Sequence, residues 1–121
     1  MIRGLVVDDS EVTRRLLSFI LNSDPQLQVV DTAVNGEEAV HLVERLRPDV
    51  VTMDITMPEM NGIEALQAIK GHDPKATVVM CSAMGQQAMV IEAIQKGAKD
   101  FIVKPFQPER VIQAVTKAMG G

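Results

Sequence analysis

Five polar side chains of complementary chemistry each come directly after a short apolar run: Asp8, Asp9, Asp54, Ser82 and Lys104. Three carboxylates brought within a few ångströms cannot all stay ionised unless a cation offsets their charge. Mg²⁺ suits such a group because it binds carboxylate oxygens and keeps several waters. A carboxylate can also accept a phosphoryl group, and a lysine and a hydroxyl can stabilise the transferred oxygens. These residue types therefore favour magnesium-assisted phosphoryl transfer, provided that the fold brings them together.

Each of these residues also has a simpler explanation when taken alone. Asp9 could be only a helix N-cap, and Asp54 could only end a strand before the Met57–Pro58 turn. Ser82 could be a loop hydroxyl and Lys104 a solvated charge. Their convergence at four strand ends, in complementary types, is what favours a single site over four unrelated ones.

Five apolar runs alternate with segments of helical periodicity, and the runs are Leu5–Val7, Leu27–Val30, Val50–Met53, Val78–Cys81 and Phe101–Val103. Continuous apolar runs are typical of strands that are covered on both faces. Their alternation with helices predicts a doubly wound α/β fold, (βα)₅ and flavodoxin-like, with a parallel five-stranded sheet. With the strand order 2-1-3-4-5, described for flavodoxin and related folds, the first and third strands end side by side. The five polar residues would then share one edge of the sheet.

Apolar stripes at helical spacing predict which face of each helix packs on the sheet. In the first and fourth helices these stripes are Val12, Leu16, Phe19 and Ile20, and Gln87, Ile91 and Ile94. Residues 39–46, 63–69 and 111–119 carry the other three stripes. Ser10 or Asp9 can cap the first helix.

Length and composition restrict the classes of function. The 121 residues suit one domain, spanning 1–121. A net charge of −4 argues against direct nucleic-acid binding, and the single Cys81 excludes an internal disulfide and is expected to be buried. No apolar run reaches the roughly 18 residues of a membrane span, and no secretory signal is recognisable. We therefore expect a cytoplasmic protein that binds neither membranes nor nucleic acid.

The whole chain resembles the receiver domains of two-component response regulators. The resemblance rests on five motifs, Val6–Ser10, Met53–Pro58, Asn61–Gly62, Cys81–Ala83 and Lys104–Phe106. Much of the chain is most similar to the single-domain chemotaxis receivers of Gram-positive and Thermotoga-like bacteria. The segment of residues 10–15 is more similar to receivers attached to output domains, including the chemotaxis methylesterase.

This resemblance assigns a role to each candidate residue. It implies that Asp54 is the phosphoacceptor and that Mg²⁺ is held by Asp8, Asp9, Asp54 and the backbone carbonyl of Thr56, with Asp8 acting through water. Ser82 and Lys104 match the hydroxyl and the lysine of the family. Phe101 stands where the family has a switch aromatic, and the peptide bond before Pro105 is expected to be cis.

The resemblance also implies partners. A histidine kinase, of the chemotaxis type, would donate the phosphoryl group, and a phosphatase could remove it. The fourth helix, fifth strand and fifth helix would form the output surface, which controls a partner such as the flagellar motor switch. We expect a monomer that can dimerise on phosphorylation, and a switch instead of an enzyme. The alternative is a receiver cut from a longer regulator with a DNA-binding or methylesterase output.

Two other classes of function fit the sequence less well. A Mg²⁺-dependent phosphatase with an aspartyl nucleophile would carry that nucleophile after its first strand and would need a substrate-selecting cap, for which the chain has no spare length. A flavodoxin-like nucleotide binder needs a neutral loop after the first strand to hold phosphate. Asp8 and Asp9 in that loop would repel a phosphate dianion.

Overall fold

The computed structural model describes residues 1–120, in which five strands alternate with five helices. The elements are β1 (Ile2–Val7), α1 (Glu11–Asn22), β2 (Leu27–Ala33), α2 (Gly36–Leu46), β3 (Val50–Asp54), α3 (Gly62–His72), β4 (Thr77–Ser82), α4 (Gln87–Gln95), β5 (Asp100–Val103) and α5 (Pro108–Ala118). All neighbouring strands are parallel, and their order is β2-β1-β3-β4-β5. The structure thus confirms the predicted doubly wound α/β fold and its strand order.

Two apolar layers cover the two faces of the sheet. One layer joins the sheet to α2, α3 and α4, with Val43, Leu66 and Val90 among its members. The other joins the sheet to α1 and α5, with Leu17 and Val111 among its members. Because both faces are buried, the strands read as continuous apolar runs. Within residues 1–120, no helix combines the length and apolar character that crossing a bilayer requires.

The predicted face of α1 is only partly right, because Ile20 is buried as expected but the other three residues of the stripe are not. Its buried residues are Leu17, Ile20 and Leu21, whereas Val12, Leu16 and Phe19 are exposed, Phe19 by 74%. Two apolar stripes overlap on this helix, and periodicity alone does not choose between them. Leu17, Ile20 and Leu21 pack together in the apolar layer that also contains Val111 of α5, and Arg14, one turn before Leu17, donates to the Asp8 carbonyl.

The face predicted for α4 is also wrong. Val90 and Ala93 are its buried residues, while Ile91 and Ile94 are exposed by 58% and 42%. Val90 and Ala93 pack in the apolar layer that contains Leu66 of α3. Ile91 and Ile94, each one position further round the helix, therefore lie at the surface.

Candidate functional site

Three carboxylates meet where β1 and β3 end. Asp8 directly follows β1 and Asp54 is the last residue of β3, and the pairing of Val7 with Met53 sets these strand ends side by side. One carboxylate oxygen from each of Asp8, Asp9 and Asp54 lies within 4.8 Å of the others. Asp8 and Asp54 are buried, whereas Asp9 is exposed. The cluster is therefore open to solvent on one side only.

The start of α1 orients Asp8. One of its carboxylate oxygens, Oδ1, accepts a hydrogen bond of 2.9 Å from the Ser10 backbone N–H. Its carbonyl accepts one of 2.8 Å from the Arg14 guanidinium. Ser10, and not Asp9, is the N-cap of α1, because its hydroxyl accepts from the Thr13 N–H. Asp9 is thus not needed as the cap, and its carboxylate is left to the cluster.

Lys104 supplies a positive charge to this cluster. Its Nζ donates to Asp8 Oδ2 at 3.1 Å and to Asp54 Oδ1 at 3.3 Å. The residue follows β5, and its backbone N–H donates to the Ser82 carbonyl at the end of β4. The Lys104–Pro105 peptide bond is cis. One ammonium group therefore bridges the two buried carboxylates.

Burial and neighbouring charges act on the pKa values of Asp54 and Lys104 in different proportions. The pKa of Asp54 is raised from 3.8 to about 6: burial is the largest cause, the Asp8 carboxylate adds to the rise, Lys104 opposes it, and Asp9 makes the smallest contribution. For Lys104, burial lowers the pKa, but the Asp54 and Asp8 carboxylates outweigh burial and the net shift is upward. Negative charge is thus in excess in this pocket even with the lysine present.

That excess, together with the type of donor atoms, fits a divalent cation. Three carboxylates within 4.8 Å offer oxygen ligands, which Mg²⁺ and Ca²⁺ prefer, and one open side leaves room for retained waters. Thr56, two residues after Asp54, is exposed on the loop between β3 and α3. The chemistry of the residues present therefore matches the metal site that the sequence predicts.

The remaining predicted residues, Ser82, Phe101 and Cys81, lie on β4 and β5. Ser82 is the last residue of β4, the strand next to β3, and its side chain is buried. Phe101 lies in β5, is 36% exposed and lines a groove with Met84 and Val103, outside the acid cluster. Cys81 pairs with Asp54 across the sheet, and burial raises the pKa of its thiol, so it remains an apolar neighbour.

Two further residues, Gly62 and Gln86, shape the site, although the sequence analysis assigned neither of them a role of its own. Gly62 begins α3 with its backbone against Asp54: a Cβ added here would overlap the Asp54 carbonyl oxygen, and its N–H donates to the Ile55 carbonyl at 2.7 Å. The Asn61–Gly62 pair was the available signal for this close approach. Gln86 bridges the loops that follow β3 and β4, and no motif marks it.

The fold and this cluster define a receiver domain, and the chain belongs to that family. The model of the response regulator receiver domain matches residues 5–116. Among the relatives, the chain is similar to the chemotaxis protein CheY of Thermotoga maritima, with 57% identity over 115 residues and 95% of each chain. It is thus closely related to CheY proteins.

Solved structures agree with this assignment. The response regulator domain of Thermotoga maritima CheB superposes with a TM-score of 0.93 at 40% identity, covering 100% of this chain and 98% of that one. CheY in the CheX-CheY-BeF₃-Mg²⁺ complex from Borrelia burgdorferi gives a TM-score of 0.91 at 42% identity, covering 96% and 87%.

Proposed function

We propose that this chain is a phosphorylation-dependent switch of the chemotaxis type, with Asp54 as the phosphoacceptor. The observation that carries the proposal is the position of Lys104, whose ammonium group contacts both Asp54 and Asp8 within the carboxylate cluster. A positive charge fixed beside one buried carboxylate is what an incoming phosphoryl group requires.

In the proposed step, an Asp54 carboxylate oxygen attacks the phosphorus of the donor. The new O–P bond forms as the bond between phosphorus and the leaving group breaks. In a phosphohistidine donor the imidazole nitrogen keeps the electron pair and then takes a proton from water. Lys104 would donate hydrogen bonds to the transferred oxygens, and the Ser82 hydroxyl at the end of the neighbouring strand would donate another. Asp8, Asp9, Asp54 and the Thr56 carbonyl would hold Mg²⁺, which when bound offsets the negative charge of the phosphoryl oxygens.

The proposed output surface comprises α4, β5 and α5. It carries exposed apolar side chains, among them Ile91, Ile94, Phe101 and Val103. A phosphoryl group on Asp54 adds acceptor oxygens that can draw the Ser82 hydroxyl inwards. The loop after β4 would move with Ser82, and Phe101 would turn towards the space that it leaves. The groove between that loop and Phe101 supports this proposal.

The proposed partners are a histidine kinase of the chemotaxis type as phosphodonor, a flagellar motor switch protein as output, and a phosphatase. The motor switch would present an acidic or amphipathic helix, held by apolar contacts and guided by the basic residues of this region, Lys96, Lys99, Arg110 and Lys117. The phosphatase proposal draws on the relative found in complex with CheX, beryllofluoride and magnesium. We place these reactions in the cytoplasm, and we propose that the chain itself catalyses no reaction on another substrate.

The second candidate is a receiver that acts within a longer regulator with a DNA-binding or methylesterase output. The likeness to the CheB response regulator domain favours it, at 40% identity. The higher identity of 57% to a CheY over nearly the whole of both chains favours the first candidate. The sequence of the full-length gene product decides between them.

The experiment for Asp54 uses acetyl phosphate and intact-mass spectrometry. With Mg²⁺, the wild-type chain and Asp31→Asn, which alters an exposed carboxylate outside the site, should each gain one phosphoryl group. Asp54→Asn and metal-free wild type should gain none. A phosphoryl group that survives in Asp54→Asn would refute the assignment.

The output surface is tested by amide exchange with and without beryllofluoride, which mimics the phosphoryl group. We expect the exchange rates to change between Ala83 and Ala114. Changes restricted to α1 and α2 would contradict the proposed surface.

A further inference from the structure

The Gln86 side chain connects the two loops that leave β3 and β4. Its Oε1 accepts a hydrogen bond of 2.7 Å from the Ala83 backbone N–H, directly after Ser82. Its Nε2 donates one of 2.8 Å to the hydroxyl of Thr56, two residues after Asp54. Thirty positions separate Gln86 and Thr56 in the sequence. One amide group thus joins the loop that follows Asp54 to the loop that follows Ser82.

These two bonds do not serve the helix that Gln86 precedes. Gln86 occupies the N-cap position of α4, yet its side chain makes no capping hydrogen bond. Serine, threonine, aspartate or asparagine at this position would bond the first turn of the helix. The glutamine instead points back over the loop. Its contacts therefore stabilise the position of the loop, not the helix.

Apart from this tether, the loop between β4 and α4 has few restraints. Met84 is 82% exposed, and a Cβ placed on Gly85 would meet no atom within 4 Å. A groove of about 510 Å³, lined in part by Ser82, Phe101 and Val103, lies against the loop. The loop thus has space to move once its tether is released.

We propose that Gln86 is a positioning residue that holds the unphosphorylated arrangement of this loop. The inference rests on the proposed function, in which Ser82 moves towards a phosphoryl group on Asp54. That movement displaces Ala83, which is covalently joined to Ser82, relative to Thr56 on the other loop, and so Gln86 cannot keep its bonds to both residues at their present lengths. The Ala83 N–H and the Thr56 hydroxyl then become free donors beside the acceptor. Gln86 thereby competes with the phosphoryl group for the same loop.

A substitution that removes the amide group of Gln86 but keeps the length of the side chain should favour the activated state. Gln86→Met lacks both hydrogen-bonding groups, and we expect it to bind beryllofluoride about fivefold more tightly than wild type in the presence of Mg²⁺, since a partly exposed hydrogen bond contributes about 1 kcal/mol. Thr56→Val removes one of the two bonds and should give a smaller increase. The neighbouring Gln87→Met, whose glutamine is exposed and makes no side-chain hydrogen bond within residues 1–120, is the matched control and should bind as wild type does. Because the chain has no Trp or Tyr, binding is followed by NMR.

A second measurement separates this inference from the proposed function. In the protein without beryllofluoride, NMR should show the Ala83 amide exchanging about fivefold faster in Gln86→Met than in wild type. This readout needs no phosphoryl chemistry. If wild type binds no beryllofluoride, the proposed function fails, while the Ala83 exchange rate still tests the tether.

Two results would overturn the role of Gln86. Ala83 exchange that is equal in wild type and Gln86→Met would show that the hydrogen bond does not hold the loop. Unchanged or weaker beryllofluoride binding by Gln86→Met, alongside normal binding by wild type and Gln87→Met, would show that the tether does not oppose activation.

Discussion

Helix α3 follows the loop after β3, and helix α4 follows the loop after β4. The two helices are attached to the domain very differently. α3 begins with a capping box, in which the Asn61 side chain accepts from the Glu64 N–H and the Glu64 carboxylate accepts from the Asn61 N–H. Its buried residues are Gly62, Ile63, Ala65, Leu66 and Ile69. α4 has no side-chain cap and buries only Val90 and Ala93.

This difference separates a fixed half of the site from a movable half. The α3 backbone packs directly against Asp54 and bonds to Ile55 through the Gly62 N–H, so α3 supports the backbone that carries the Asp54 carboxylate. The loop before α4 is held mainly by the side chain of Gln86. Elements with few buried contacts open at lower free energy than well-packed ones. We therefore expect the α3 side, which supports Asp54, to stay fixed and the loop between Ser82 and α4 to open more readily.

The largest expected contrast comes from truncating an isoleucine in each helix. Ile69 in α3 is fully buried, whereas Ile91 in α4 is 58% exposed. We expect Ile69→Ala to lower the free energy of unfolding by about 4 kcal/mol because it leaves a cavity. Ile91→Ala should change it by less than about 1 kcal/mol. Urea unfolding followed by circular dichroism measures both, and equal costs would remove the distinction between the helices.

The support beneath Asp54 is tested by two glycines of α3. A Cβ on Gly62 would overlap the backbone of Asp54 and Ile55, whereas a Cβ on Gly71 would meet nothing within 4 Å. Gly62→Ala should therefore lower the free energy of unfolding by about 3 kcal/mol through overpacking. Gly71→Ala, the matched control, should raise it by about 0.5 kcal/mol through lost chain entropy in the unfolded state. A tolerated Gly62→Ala would mean that the start of α3 can move away from the acceptor.

The buried charge of Asp54 predicts a pH dependence of stability without metal. Its pKa is raised from 3.8 to about 6 by burial and by Asp8, so the folded state binds the proton more tightly than the unfolded state. The free energy of unfolding should then fall as the pH rises from about 4 to about 6 and stay level above.

Asp54→Asn should abolish this fall, because asparagine does not titrate. In metal-free buffer the variant should match wild type near pH 4 and exceed its stability by about 3 kcal/mol at pH 7.5. Thermal melts across this range provide the measurement. A variant that is less stable than wild type at pH 7.5 would show that the lysine bridge outweighs the cost of burying the carboxylate.

The strands and the carboxylate cluster could be predicted from the sequence because their signals are local. Each polar residue stands at the end of an apolar run, and the order of a doubly wound sheet then brings those ends to one edge. The proximity of Asp8, Asp54 and Lys104 could be predicted without knowing any side-chain conformation. It follows from the parallel topology, which places the carboxyl ends of the strands along one edge of the sheet.

The helix faces and the Gln86 bridge could not be predicted in the same way. On α1 the stripes through Leu16 and Leu17 are both apolar, and only packing against the sheet and α5 distinguishes them. On α4 Val90 and Ile91 are both apolar neighbours, and Val90 is the one that meets the apolar layer. The Gln86 bond to Thr56 joins positions far apart in sequence, and only the final loop geometry brings them together.

The smallest expected effect concerns the caps, and it tests whether α3 and α4 open independently. Asn61→Ala removes the acceptor of the Glu64 N–H, a bond of 2.9 Å, and should lower the free energy of unfolding by about 1 kcal/mol. Asn35→Ala removes the same kind of bond from α2, where Asn35 accepts from the Glu38 N–H at 2.8 Å, and serves as the control of equal chemistry.

Native-state amide exchange shows which helices open more often when a cap is removed. In wild type we expect the amides of α4 to exchange faster than those of α3, because α4 lacks both a cap and a buried face of comparable size. In Asn61→Ala the first turn of α3 should exchange about fivefold faster, with the rates in α4 unchanged, while Asn35→Ala should alter only α2. If loss of the Asn61 cap accelerated α4 as much as α3, the two helices would open as one unit. The moving half of the site would then include the support of Asp54 itself, and phosphorylation would have to reorder both loops together.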